Sequence, residues 1–384
     1  MKNKPMLDHY SAHDAIPVRH SLTPVEYARV RTRLYSRLGL SRNCFTDADI
    51  LEFGPGTGEN AAIISHFSPT SITLVDANPR SLEQLQQRMN AGDFATREVT
   101  IIDSNILDFD SDNQHDIVLC EGVIPGQLDP HSFLQHVASF VRPGGQLVIT
   151  TSSEFGYLAD ACRRMIKPVM HAKYGLDQED FRQRCADLFA PQLAFLGSPK
   201  LPLDWVIDGF LLEWPDQFCF SIEESIDCIG MDFDVVGTSP SFISDWSWFK
   251  RNRDERDIVN QLAIEGYRQR RGYLIDDRVS PKQSPAFGDR EPEVTAAVDA
   301  FMALGSEIHR LNRLDAFDEA LGLLTQIEVA LPSDFDITRT GLSDFKRGFK
   351  TILDGTDPEG VDWASSGHWW GRGLQYASFT RIGS

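Results

Sequence analysis

Residues Leu51-Glu52-Phe53-Gly54-Pro55-Gly56-Thr57-Gly58 join a short apolar run to a stretch with a helical pattern, Asn60-Ala61-Ala62-Ile63-Ile64. Ile50 to Phe53 is mostly apolar and suits a β-strand. Glycines at 54, 56 and 58 remove the Cβ atoms that would hold a ligand off the main chain. Strand, glycine turn and helix in that order form the nucleotide-binding start of a doubly wound α/β sheet.

Two features separate this turn from a dinucleotide site. The dinucleotide fingerprint is G-x-G-x-x-G, whereas the spacing here is G-x-G-x-G, with Glu59 where the third glycine would fall. Glu52 adds a carboxylate at the strand end, which would repel a pyrophosphate on the helix N-terminus. It suits a ligand with cationic groups and no phosphate. S-adenosylmethionine carries a sulfonium and an ammonium and is the expected cofactor. A nicotinamide dehydrogenase stays open as an alternative on the glycine turn alone.

Working outward, Ser71 to Asp76 reads as a second strand. Asp76 stands at its end, where a carboxylate can accept both ribose hydroxyls. Val99 to Asp103 reads as a third strand, with Asp103 placed to accept an adenine amino group. Asp116 to Glu121 is a fourth, followed by a helical segment around 130–141, the turn Arg142-Pro143-Gly144-Gly145 and a fifth strand, Gln146 to Thr151. Strands alternating with helical patterns imply a parallel sheet with right-handed crossovers.

With these landmarks in order, the stretch 50–151 resembles the class I S-adenosylmethionine-dependent methyltransferases. The glycine motif, the ribose acid at Asp76, the adenine acid at Asp103 and the turn at 142–145 carry the resemblance. Singly, the turn would be an ordinary tight turn, and a strand-end Asp a helix cap or solvated acid. The resemblance implies a Rossmann-like seven-stranded sheet with large helical insertions forming a lid. It places the cofactor against Glu52, Gly54, Gly56, Gly58, Asn60, Asp76, Ala77, Asp103, Ser104 and Glu121. Strands six (Asp232 to Gly237) and seven (Gly373 to Arg381) would close the sheet, one of them antiparallel.

That sets the expected division of the chain: 1–45 as an N-terminal arm and helix over the pocket, 46–154 as the cofactor-binding core and 155–230 as a helical insertion. Residues 231–239 are strand six, 240–370 a helical substrate lid and 371–384 strand seven. Thr23 and Pro24 predict a helix start, with apolar positions at Val25, Tyr27, Ala28, Val30, Leu34, Tyr35 and Leu38. Residues 155–191 read as helices ending near Ala190-Pro191. A stripe from Val294 to Leu331 recurs mostly at three- and four-residue steps and reads as core.

Composition narrows the partners. The chain has 384 residues, 41% hydrophobic and 24% charged, with a net charge of −19. That length fits two domains or one with large insertions. The negative field argues against nucleic acid or an anionic membrane as partner. The six cysteines form no Cys-x-x-Cys and no zinc spacing, so buried free thiols and no metal are expected. With no apolar leader and no run of about eighteen apolar residues, a cytoplasmic protein is expected. A homodimer is kept as an open expectation.

Methyl transfer needs an acceptor held in line and water excluded. Residues after strand four sit nearest the methyl in this family, which makes Glu121 a candidate for acceptor orientation or proton removal, or for hydrogen bonding to the cofactor's amine. His368, in Ser365-Ser366-Gly367-His368-Trp369-Trp370-Gly371-Arg372, is a second catalytic candidate, although the tryptophans read better as filling the base of the insertion. Asp245 reads as a helix cap, and His13 and His20 as solvated residues of the arm that can approach the pocket. Asp108 to Asp112 lacks the glycine and glutamate of a calcium loop. The residues after strand four lack the motif of base-amino methyltransferases. The expected activity is methyl transfer to an oxygen or nitrogen of a small molecule or glycan. The alternatives are a cofactor-binding protein without transferase activity, or a protein or nucleic-acid methyltransferase.

Overall fold

The computed structural model describes residues 5–13, 21–96, 98–175, 178–196, 200–215, 218–245, 258–282 and 284–383. Its strands are β1 (Asp49–Phe53), β2 (Ser71–Asp76), β3 (Val99–Asp103), β4 (His115–Cys120), β5 (Val141–Ser152), β6 (Phe233–Ser239) and β7 (Leu374–Arg381). They form one sheet in the order β3-β2-β1-β4-β5-β7-β6. β1 to β5 pair in parallel, and β7 runs antiparallel to β5 and β6. This is the seven-stranded Rossmann-like sheet expected of the sequence. The strand order reverses between β1 and β4, and open α/β sheets bind ligands beyond the strand ends at that reversal.

Strand boundaries moved where turns compete with pairing. β4 ends at Cys120, so Glu121 lies in the loop beyond it. β5 begins earlier than expected. Val141 pairs with His115, residues 142–145 bulge out, and pairing resumes at Gln146 opposite Ile117. Gly144 takes φ +76°, a left-handed conformation that suits glycine inside such a bulge.

The helices before β5 are α1 (Pro5–Ala12), α2 (Pro24–Arg37), α3 (Glu59–Ser65), α4 (Pro79–Ala91) and α5 (Pro130–Ser139). α2 starts where Thr23 and Pro24 predict. Thr23 Oγ1 accepts from the Glu26 amide at 3.3 Å, and the Glu26 carboxylate accepts from the Thr23 amide at 3.0 Å. That reciprocal pair satisfies two of the donors that a helix start leaves open. Tyr35, Leu38, Phe45, Ile50, Ile64, Leu74 and Val148 are among the residues of one buried core beneath the sheet.

The chain folds as two compact units. One comprises Met1–Ser152, Gln217–Arg268 and Leu374–Ser384, and the other Ser153–Asp216 and Gln269–Gly373. The first holds the sheet, and it includes 217–230 and 240–268 from the segments read as insertions. The second is helical. Its helix Gln178–Leu196 runs through Pro191, correcting the expected end near Ala190-Pro191. Proline removes one backbone hydrogen bond from that turn. Buried Phe189 and Leu193 hold the turn on both sides. Val294, Val298, Phe301, Ile308, Phe317, Leu321, Leu324, Ile327 and Leu331 of the apolar stripe are buried, while Leu311 and Leu314, at the helix junction, are exposed. Cys120, Cys162 and Cys185 are buried free thiols as expected, but Cys44 is exposed. No helix among the described residues is long and apolar enough to cross a membrane.

Candidate functional site

The ends of β1, β4, β2 and β3 converge on one edge of the sheet. Phe53 is in register with Val75 and Cys120, and Asp76 with Asp103. The glycine turn, Glu121 and the two acids therefore all follow or end strands at the reversal of strand order. Gly54, Gly56 and Gly58 take φ +65°, +55° and +74°, so each needs the freedom that only glycine has cheaply. A Cβ on Gly54 would lie 2.7 Å from Val123 Cγ2, so the turn and the loop after β4 approach closely. From the other side α4 backs the turn: Arg88 Nε donates to Thr57 O at 2.6 Å.

Asp76 ties the turn to β2. Its Oδ1 accepts from the Asn78 amide at 2.8 Å. Burial raises its pKa, while hydrogen bonds from the backbone at Asn78, Gly56 and Ala77 pull it back down. Asp103 is exposed in the next strand, and the Ser104 amide donates to Asp76 O at 3.0 Å. Two carboxylates on neighbouring strand ends thus flank one side of the crevice.

On the other side lies a buried polar network. Glu52 is 4% exposed, and its Oε1 accepts from Asn60 Nδ2 at 3.0 Å. Its Oε2 is buried with no hydrogen-bond partner among the described residues. Burial raises its pKa to about 7, against the pull of the Asn60 hydrogen bond. Asn60 Oδ1 accepts from Arg31 Nε at 2.9 Å. Arg31 Nη2 donates to both oxygens of Glu121 at 2.5 Å and to the Tyr35 oxygen at 2.6 Å. The Tyr35 hydroxyl lies 3.0 Å from Asn60 Oδ1 and from Glu121 Oε1, so its one proton serves one of them at a time. Burial alone would lower the Arg31 pKa, but Glu121 and the tyrosines around it hold it well above the ordinary value.

Arg31 and Tyr35 were missing from the sequence-predicted site. The signal was present: Arg31 sits among Tyr27, Ala28, Leu34, Tyr35 and Leu38 at helical spacing, a charge inside the apolar face of α2. Asn60, expected to touch the cofactor, has its side chain committed to Arg31 and Glu52.

The residues fit S-adenosylmethionine. An orphaned buried carboxylate oxygen wants a cation, and a left-handed glycine turn offers a bare main chain. Among the described residues, no group of three or more His, Cys, Asp or Glu is placed to hold a metal ion.

His368 belongs to the helical unit and is exposed, with its ring centroid 3.5 Å from that of Phe195. Its neighbours Trp369 and Trp370 are buried, and their indole N–H groups donate to Ile275 O and Gln192 O at 2.9 and 3.1 Å. They fill the core of that unit. His13 Nδ1 lies 2.9 Å from His9 O at the end of α1. Asp245 is exposed, and the helix start it would cap falls outside the described residues, as does His20.

Residues 24–187 match the family model of a methyltransferase domain. Demethylluteothin O-methyltransferase of Streptomyces thioluteus is 34% identical over 174 residues, covering 42% of this chain and 74% of that protein. A mitochondrial ubiquinone biosynthesis O-methyltransferase of Schizosaccharomyces pombe is 28% identical, over 29% of this chain and 40% of that protein. The match thus spans well under two thirds of the latter's length. An N-methyltransferase of Bradyrhizobium japonicum, solved with S-adenosylhomocysteine, superposes with TM-score 0.28 at 20% identity, covering 33% of this chain and 62% of that one.

Proposed function

The chain belongs to the class I S-adenosylmethionine-dependent methyltransferases, and from that premise we propose that it transfers the cofactor's methyl group to a hydroxyl oxygen of a small organic acceptor. The bound cofactor supplies an electrophilic methyl together with its own leaving group. The chain's task is then to place the acceptor and exclude water.

The unpartnered oxygen of Glu52 at the end of β1 carries this reading. An ammonium there supplies the counter-charge that this buried acid lacks. Glycines 54, 56 and 58 admit the ligand to the main chain, Asp76 suits the ribose diol, and Ala77, Asp103 and Ser104 suit the adenine side. Glu121, with both oxygens on Arg31, is better suited to orienting a cation than to taking a proton. Protonating it would leave a buried guanidinium without its counter-charge. Asn60 acts from behind by fixing Glu52.

Transfer to oxygen is supported by the two relatives above, both of them O-methyltransferases. The test is methyl-labelled S-adenosylmethionine with panels of phenols, hydroxy acids and sugars. Label is expected on a hydroxyl of one panel member. Label found only on amines, peptides or RNA overturns the acceptor assignment.

A further inference from the structure

Glu52 is a buried acid whose surroundings supply no free positive charge. Its Oε1 has one neutral donor, Asn60 Nδ2, and its Oε2 has none among the described residues. The orientation of Asn60 is fixed, because its Oδ1 takes the Arg31 Nε–H. Arg31 is the cation acting on Glu52, but Glu121 holds it at 2.5 Å through both oxygens. Of the other titratable groups facing Glu52, Glu121 repels its charge, and Tyr35 and Cys120 are kept neutral by burial. A carboxylate left so placed would lack a counter-charge, and a buried group in that position keeps its proton.

Resting on the methyltransferase reading above, we propose that Glu52 is a neutral acid in the empty site and that docking of the cofactor's ammonium expels its proton to solvent. The O–H bond of the carboxyl breaks, the proton goes to buffer, and the carboxylate left behind faces the ammonium. Glu52 is then a specificity-determining residue, selecting ligands with an α-ammonium by proton exchange. The raised pKa of about 7 agrees with this state of the empty site.

The signs follow from linkage. A carboxyl whose folded pKa lies above its unfolded value contributes stability that is present below about 4.5 and lost as pH rises through about 7. The empty protein should therefore lose part of its stability between those limits, and ligand should restore it. Affinity for the ammonium ligand should rise with pH up to about 7. The ligand's own α-amino group titrates near 7.7–8.0, so it largely keeps its proton in the window at and below pH 7.

The experiment is calorimetry of the full chain with S-adenosylhomocysteine and with 5′-methylthioadenosine, which lacks the amino-acid end. Titrations at pH 6 in two buffers of different ionisation enthalpy count released protons. Wild type should release close to one proton with S-adenosylhomocysteine and none with methylthioadenosine. Its affinity for the former should fall on the order of tenfold between pH 7 and pH 5.5. Glu52→Gln should abolish both effects. Buffer-independent heat and a flat pH profile in wild type, with binding intact, overturn the proposal even where the variant does not fold. Absence of binding by either ligand at any pH overturns instead the methyltransferase reading on which it rests.

Discussion

The sheet unit and the helical unit each bury arginines, and they satisfy them in opposite ways. In the sheet unit Arg31 binds a carboxylate, a tyrosine and an amide, and the network ends at an unpaired oxygen of Glu52. In the helical unit Arg163 donates to Gln192 Oε1 and to the carbonyls of Ala159, Ser366 and Trp369 at 2.8 to 3.1 Å, with its guanidinium 3.7 Å from the Trp370 ring centroid. Arg164 donates to Gly209 O, Phe210 O and Leu212 O and to His309 Nδ1, beneath Trp214. Burial lowers these two pKa values to about 10 and about 9, with Asp160 pulling the other way. A network closed mainly on backbone carbonyls ties chain segments together. An unsaturated one at a strand end is a place for a ligand. The same residue type thus serves folding in one unit and binding in the other, and what separates them is what the guanidinium holds: mostly backbone carbonyls in the helical unit, side-chain oxygens in the sheet unit.

That contrast breaks first at Arg164. Arg164→Met keeps much of the aliphatic volume and takes the Arg164 donor away from Gly209 O, Leu212 O and His309 Nδ1, while Phe210 O keeps His309 Nε2. His309 Nε2, 2.6 Å from Phe210 O, has to donate, so Nδ1 is left as an acceptor. The expected loss is about 3–5 kcal/mol of unfolding free energy, read by thermal or denaturant melts. A change under 1 kcal/mol would mean that Arg164 does not hold those carbonyls in solution and that the contrast is false.

Arg31 comes next, with the readout moved from stability to binding. Arg31→Lys keeps the charge but cannot serve Asn60, Tyr35 and Glu121 together, because an ammonium lacks the planar fork of donors. S-adenosylhomocysteine binding should weaken by about 1–3 kcal/mol in calorimetry, with a smaller fall in melting temperature. An unchanged dissociation constant would detach Arg31 and Glu121 from the cofactor site.

The legibility of the two units in the sequence differs for the same reason. The glycine turn, Asp76, Asp103 and the strands between them are local features, and the residues carrying them lie within a few positions of one another. Positive φ at 54, 56 and 58 is what three closely spaced glycines announce. The Arg31 network closes over 29 residues to Asn60 and 90 to Glu121, so no window of sequence contains it. Only the charge in the apolar face of α2 hinted at it. Pro191 misled because its local penalty is real, yet tertiary packing of its neighbours outweighs it. The partition of 217–230 and 240–268 into the sheet unit was hidden as well. Asn260 of the helix Ile258–Arg270 holds β6, accepting from the Val235 amide and donating to Phe233 O at 2.9 Å each, and nothing near Asn260 in sequence says so.

The smallest effect lies where folding and binding overlap. α4 backs the glycine turn through Arg88 and Leu85, and it begins at Asn78, whose Oδ1 accepts from the Arg80 amide at 3.0 Å. Pro79 restricts the residue before it to extended conformations, and Asn78 obeys with ψ 116°. Asn78→Ala removes the cap without disturbing that backbone and should cost about 1 kcal/mol of stability. Asn78→Gly should cost only a few tenths. If α4 is merely a folding element, ligand affinity stays level in both. If it also holds the turn in its ligand-ready shape, affinity for S-adenosylhomocysteine drops roughly twofold in the alanine variant and less in the glycine one, in step with the melting temperatures. A stability loss with no matching change in affinity would place the boundary between the two kinds of network at the turn itself, leaving α4 on the folding side.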